Sequence, residues 1–253
     1  MPTWNPRQYL KFAEERSRPC RDLAARVEVA APRRIIDLGC GPGNSAEVLA
    51  ARWPNAAITG LDSSSAMIDA ARAASPQWEW RIGDLAAWAA GDECFDVVFS
   101  NAALQWVGDH AAVFPQLLSQ VSDGGALAVQ VPGNYTSPQH RLMREVAKRF
   151  ELQVREWQTF DLDFYYDALA PHASRLDLWA TEYLHVLPNV EAVVEWYKGT
   201  GMRPYLDALP DEAARERFLS KYLEGLREIY KPQGDGMVLF PFRRIFIVAY
   251  GKE

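Results

Sequence analysis

The chain has 253 residues, 49% hydrophobic and 24% charged, enough apolar material to bury a sizeable core and too much for intrinsic disorder. A formal charge of −6 with no concentrated basic run excludes the field that gathers nucleic acid or an anionic membrane surface. No apolar stretch reaches the roughly 20 residues of a membrane-spanning helix, and the opening MPTWNPRQYLKFAEERSRPC lacks a signal-peptide apolar region, so the expected compartment is the cytoplasm.

In chain order, an opening segment with Trp4 and Tyr9 precedes Arg34–Leu38, a short apolar and β-branched run that reads as a first strand. It leads directly into Gly39-Cys40-Gly41-Pro42-Gly43, after which 44–52 carries apolar residues at helical spacing. Strand candidates at 57–61 and 78–82 flank a helix over 64–74, for which Ser63 or Ser64 is the available N-cap. A fourth strand at 95–100, a helix over 111–121, the turn Asp123-Gly124-Gly125 and a fifth strand at 125–131 complete a βαβαβ order. That order points to parallel strands covered by helices. Pro132-Gly133-Asn134 ends the fifth strand sharply. From 135 to 236 the pattern is mostly helical, notably at 190–197 and 212–230, with one aromatic-rich strand candidate at 176–186. The run RIFIVAY from Arg244 to Tyr250 reads as a last central strand. The expectation is one α/β domain over 1–253, with a seven-stranded, mostly parallel sheet and helices on both faces. Residues 30–133 would hold a cofactor, 134–236 would form a mainly helical cap, and 242–251 the final strand.

Three alternating glycines, Gly39, Gly41 and Gly43, stand between a strand and a helix. A side chain there would collide with a ligand lying against the backbone, and the turn calls for conformations glycine adopts at little cost. The helix start offers free N–H groups and a positive dipole end. A dinucleotide-binding loop would carry its third glycine where Asn44 stands, and the carboxylate of Asp37 would repel a pyrophosphate. Both features disfavour a nicotinamide-dependent oxidoreductase. Asp37 suits a cationic ligand, such as the α-amino group and sulfonium of S-adenosylmethionine. Asp62, beside Ser63 at the end of the second strand, can accept bonds from both ribose hydroxyls. Asp84 can approach an adenine amino group with Leu85 against the ring face, while Asn101, Ala102 and Trp106 in NAALQW would line the point of methyl transfer. The histidines His110, His140, His172 and His185 and the cysteines Cys20, Cys40 and Cys94 show no ligand spacing, so no metal site is expected and the cysteines read as reduced packing residues.

The ordered set D-x-G-x-G-x-G, strand-end Asp, G-D-L and S-N-A-x-x-Q-W over roughly 33–131 resembles the Rossmann-like class I methyltransferase signature. The segments WNPRQYLKFAEERSRPCRDLAARV, SNAALQWVGDHAAVFPQLLSQV, WYKGTGMRPYLDAL and RRIFIVAYGK resemble the trans-aconitate 2-methyltransferase family over essentially the whole chain. The resemblance implies S-adenosylmethionine as cofactor and a small tricarboxylate as partner, methylated on one carboxylate to a monomethyl ester. Other small or carrier-bound acceptors are the alternative; a carrier protein would call for a basic patch that the sequence lacks.

A tricarboxylate needs cations and hydrogen-bond donors. Arg203, between glycine and proline in GTGMRPY, can present a bidentate guanidinium from an irregular loop, and Arg244 at the start of the last strand offers a second. Tyr9 and Tyr135 can donate phenolic bonds, and Gln105 and Trp106 an amide and an aromatic wall. A carboxylate is ionised at neutral pH, so ester formation calls for no general base and the residues act by positioning.

Overall fold

The computed structural model describes residues 12–252. Each expected strand forms: β1 (Arg34–Leu38), β2 (Ala57–Asp62), β3 (Glu79–Ile82), β4 (Phe95–Asn101), β5 (Val121–Pro132), β6 (Arg175–Leu187) and β7 (Val238–Tyr250). The helices among the described residues are α1 (Ala13–Arg26), α2 (Asn44–Arg52), α3 (Ser65–Ala74), α4 (Leu85–Ala89), α5 (His110–Ser119), α6 (Pro138–Arg149), α7 (Leu162–Leu169), α8 (Val190–Lys198), α9 (Arg203–Ala208) and α10 (Glu212–Ile229). No helix among the described residues is long and apolar enough to cross a membrane.

The strands form one sheet in the order β3-β2-β1-β4-β5-β7-β6. The neighbours from β3 to β5 pair in parallel, and β7 pairs antiparallel with β5, Val129 opposite Ile247. The run Ile35-Ile36 is wholly buried, as expected of a central strand covered on both faces. Because β1 lies between β2 and β4, the direction of winding reverses there, and in such sheets ligands bind at the carboxyl ends of the strands flanking the reversal.

Two strand boundaries depart from the sequence reading. β7 begins at Val238, so Arg244 lies in mid-strand opposite Pro132 and does not open the strand. Pro241 conceals the extension: it lies beyond the last β5 partner, where its missing N–H leaves no β5 bond unmade. β5 begins at Val121, paired with Phe95; its register then shifts before Ala126 meets Val97, and Asp123-Gly124-Gly125 falls inside the strand span. A side chain on Gly125 would come within 2.4 Å of the Asp96 carbonyl, so that excursion requires glycine. Ser64 is the N-cap of α3 and accepts from Met67 N–H.

The chain packs as two compact units. The first comprises residues 13–133, 158–181 and the chain from Arg244 onward, with a core that includes Ile36, Val98, Phe114, Leu127 and Ile247. The second comprises Phe12, 134–157 and 182–243, with a core of Trp196, Tyr197, Phe218, Tyr222 and Phe240. Cys20 and Cys40 are buried packing residues, but Cys94 is exposed just ahead of β4, beside Glu93, which carries ion pairs to Arg34 and Arg81.

Candidate active site

In the first unit the loop after β1 bends back over β2. Gly39, Gly41 and Gly43 all have positive φ, at 74°, 55° and 99°, which explains their spacing. A Cβ on Gly39 would stand 2.1 Å from that of Ala103, and one on Gly43 would meet the Trp80 ring at 3.0 Å. A Cβ on Gly41 would touch no protein atom within 4 Å, so the space above it is open to a ligand.

The N–H groups of this loop are already used. Those of Gly39 and Cys40 donate to the Leu61 carbonyl, at 2.7 and 3.1 Å, and that of Gly43 to the Cys40 carbonyl. The Gly41 N–H donates to Asp62 Oδ2 at 3.0 Å. A diphosphate would therefore meet a carboxylate and few free donors where a dinucleotide loop offers amides.

Asp37, at the end of β1, is fully buried and accepts from Ser45 Oγ at 2.5 Å through Oδ2. Its Oδ1 has no partner. Burial pushes its carboxyl up to about 7, against the lowering effect of Ser45 and helped by the nearby charge of Asp62. A buried acceptor without a donor is costly, and an ammonium group offers both the donor and the charge. Burial likewise raises Asp62, while the N–H groups of Ser64, Gly41 and Ser63 oppose it. The Gly41 N–H bonds Oδ2 and the Ser64 N–H bonds Oδ1, and a carboxylate has about four acceptor positions, so Asp62 retains capacity for a ribose hydroxyl.

Asp84 caps α4 by accepting from Ala87 N–H at 2.9 Å, and its other oxygen is left for a ligand. Leu85 is buried with its side chain toward Gly39. β4 ends at Asn101, which is followed by Ala102, a non-glycine residue at φ 57°. That bend is held from both sides: Ala102 N–H donates to the Gln130 carbonyl at 2.9 Å, and Ala102 accepts from the Gln105 amide at 2.6 Å. The side-chain oxygens of Asn101 and Gln105 are buried without partners, as is Asp37 Oδ1. Trp106 closes the short helical turn Leu104–Trp106 and is half-buried. Arg244 is buried and donates from Nη1 to Gln130 Oε1 at 3.1 Å, so it backs the strand residue that carries the Ala102 bend.

The structure thus brings Asp37, Gly39, Asp62, Leu85 and the loop after β4 together around the carboxyl ends of β1 and β4. Ser45, Trp80, Ser100 and Gln130 also belong to this arrangement and were missed in the sequence. Ser100 Oγ ties β4 to the Leu38 carbonyl at 2.8 Å, and the Trp80 ring is the reason for Gly60, where a Cβ would lie 2.4 Å from it. Ile82, at the end of β3, is a large apolar side chain left 55% exposed two residues before Asp84.

Other predicted residues lie in the second unit. Tyr135 donates to Glu156, and Arg203 opens α9, paired with Asp207 at 3.3 Å. Arg203 does not sit in an irregular loop, because Pro204 occupies a first-turn position where its missing N–H costs a helix nothing. Tyr9 lies outside the described residues. Neither His110 nor His140 is poised as a base. His110 bonds Tyr165 Oη and the Leu104 carbonyl through its two ring nitrogens, and burial holds His140 neutral, pushed down to about 3.

The sheet order and a buried, partnerless carboxylate oxygen beneath an open glycine loop fit a Rossmann-like class I methyltransferase, with S-adenosylmethionine as its methyl donor. A family model described as a methyltransferase domain matches residues 35–125. The chain belongs to the trans-aconitate 2-methyltransferase family: it is 47% identical over 253 residues to the trans-aconitate 2-methyltransferase of Azoarcus sp. (strain BH72), covering 98% of this chain and 99% of the relative. With that of Klebsiella pneumoniae (strain 342) it shares 45% over 250 residues, 98% of each chain. Among solved structures, the YcgJ protein of Bacillus subtilis matches with a TM-score of 0.63 at 12% identity, over 93% of this chain and 99% of that one. Phosphoethanolamine N-methyltransferase 2 of Haemonchus contortus, solved with S-adenosyl-L-methionine, matches with a TM-score of 0.62 at 15% identity, over 98% of this chain and 57% of that one. These structures support the fold.

Proposed function

We propose that this protein methylates one carboxylate of trans-aconitate, giving a monomethyl ester and S-adenosylhomocysteine. The observation that carries the cofactor side is the partnerless buried oxygen of Asp37 beneath the glycine loop. The acceptor side is supported by identity along the whole chain to relatives that bear that enzyme's name.

S-adenosylmethionine supplies the methyl group, carried on a sulfonium. Asp37 would hold its α-amino group, with Gly39, Gly41 and Gly43 giving it room. Asp62 and Ser63 would take the ribose, Asp84 the adenine amino group, and Leu85 and the exposed Ile82 the ring faces. Asn101, Ala102 and Trp106 would border the transferred group. For the acceptor, the candidates for donors and an aromatic wall are Gln105, Trp106 and Arg244 in the first unit, and Tyr135 and Arg203 in the second. The attacking carboxylate is already ionised and wants no base, so the arginines should grip the other two and leave it free. Positioning of this kind is worth on the order of 7–11 kcal/mol.

Two outcomes are expected. Arg203→Ala should raise the acceptor KM about 10- to 100-fold, the loss of a charge-assisted hydrogen bond, and leave cofactor affinity unchanged; unaltered acceptor kinetics would remove Arg203 from the site. Asp62→Ala should weaken S-adenosylhomocysteine binding by about tenfold or more in calorimetry, through lost ribose bonds and the released Gly41 N–H. Equal affinity would end the ribose assignment. Incubation with labelled cofactor and a panel of small polycarboxylates, read out as a base-labile methyl ester, tests the reaction itself.

A further inference from the structure

The second unit holds a carboxylate in a cluster that packing alone does not call for. Glu156 follows α6 on a stretch without regular secondary structure. Its Oε2 accepts from Tyr135 Oη at 2.6 Å and its Oε1 from Tyr205 Oη at 2.8 Å. Arg144 Nη1 lies 3.8 Å from Oε2 and donates to the Tyr135 carbonyl at 3.1 Å, and the guanidinium sits 4.4 Å over the Tyr135 ring. Each carboxylate oxygen faces its own phenol with a cation alongside, which is the donor set a planar carboxylate requires.

The donors are fixed from behind. Tyr205 is buried and stacks on Phe218, and Tyr135 stands edge-on to the buried Trp157 ring at 5.2 Å. The charged groups, by contrast, reach water: the side chains of Arg144 and Glu156 are 23% and 27% exposed. Pre-set donors around a solvent-accessible anion on an irregular stretch are suited to exchange of that anion. Stability alone gives little reason for it, since an ion pair that reaches water contributes only about 0–1 kcal/mol.

We propose that Tyr135, Tyr205 and Arg144 form a receptor for one carboxylate of the acceptor, and that Glu156 is its resident occupant, displaced when the acceptor binds. The inference rests on the reading of this chain as a methyltransferase for a small polycarboxylate. It adds Tyr205 and Arg144 to the acceptor-binding residues and makes Glu156 a determinant of specificity. A tethered carboxylate competes at an effective concentration in the mM range, so a free monocarboxylate loses the contest. A polycarboxylate gripped at its other ends wins it.

The test is calorimetry on the full chain saturated with S-adenosylhomocysteine, titrated with propane-1,2,3-tricarboxylate and, separately, with acetate. Glu156→Gln should bind the tricarboxylate about tenfold tighter and gain measurable acetate binding, with S-adenosylhomocysteine affinity unchanged. Adding Tyr135→Phe and Tyr205→Phe should abolish both gains. Glu156→Asp, which keeps the charge but reaches one methylene less far, should show a smaller gain of the same sign and serves if the glutamine variant does not fold. Equal or weaker affinity for both ligands in the folded variants overturns the proposal. Acetate binding gained by Glu156→Gln without any tricarboxylate binding would keep the receptor while removing the polycarboxylate reading on which it was built.

Discussion

Asp37→Asn is expected to weaken S-adenosylmethionine binding by about 10- to 150-fold, the equivalent of the roughly 1.5–3 kcal/mol of a hydrogen bond to a charged group. It should at the same time make the cofactor-free protein more stable above pH 7. The two effects have one cause: a carboxylate buried without a partner on Oδ1 is a cost until an ammonium arrives. The folded carboxyl is raised to about 7 from 3.8, chiefly by burial, so between those values the folded chain binds more protons than the unfolded chain. This group's contribution to stability is therefore complete below about pH 4 and lost as pH rises through about 7, a change of about 4 kcal/mol over the window. The amide of the variant does not titrate. The stability difference between variant and parent, read from urea unfolding, should thus be least near pH 4 and widen in favour of the variant up to pH 8. Cofactor binding selects the ionised form, so parental affinity should fall about tenfold per unit below pH 7 while the variant's stays flatter. Asp62, itself raised by burial, acts in the same direction and accounts for any slope left in the variant. A parental affinity constant from pH 8 to 5.5 would remove the ammonium from Asp37.

The loop proposed to hold the cofactor was legible because its constraints are local. A strand, three alternating glycines and a helix start occupy the eleven consecutive residues from Arg34 to Asn44, and the same feature that spaces the glycines, positive φ, sets the loop. Asp62 could be placed by its position at the end of β2 alone. What stayed hidden there looks like ordinary core: Trp80 alternates as any strand residue does, and Ser45 is one small polar residue in the first turn of α2. Strand limits failed where punctuation misled, at Pro241 within β7 and at the glycine pair within β5. The cluster proposed to receive the acceptor was far less legible. Tyr135, Arg144, Glu156 and Tyr205 come from the segment after β5, from α6, from an irregular stretch and from α9, and no spacing in the chain links them. Only the packing of the second unit brings two phenols onto one carboxylate. Arg244, expected at a strand start, proved to be an internal partner of Gln130, because burial inside a sheet cannot be told from exposure at its margin by sequence alone.

Gly39→Ala and Gly41→Ala should separate the two reasons for glycine in the loop. At Gly39 the added methyl meets Ala103 Cβ at 2.1 Å with the backbone at φ 74°, and a Cβ cannot rotate away. Left-handed backbone costs about 1–2 kcal/mol and overpacking about 1–3, so the variant should lose about 2–5 kcal/mol of stability. For a chain of this size that is a fall in Tm of roughly 5–15 °C. Ala103→Gly in the same chain removes the atom that is struck and should restore the overpacking part, giving a favourable coupling in a double-mutant cycle. At Gly41 no protein atom lies within 4 Å of the new methyl, so only the φ penalty remains, about 1–2 kcal/mol. Stability should fall by less than at Gly39, yet cofactor affinity should drop about tenfold or more, because the methyl enters the volume the ligand needs. That contrast reads the ligand's position directly from an atom that touches nothing else. A Gly41→Ala protein that binds S-adenosylhomocysteine as tightly as the parent would show that no ligand lies against this backbone, leaving the positive φ as the reason for the glycine.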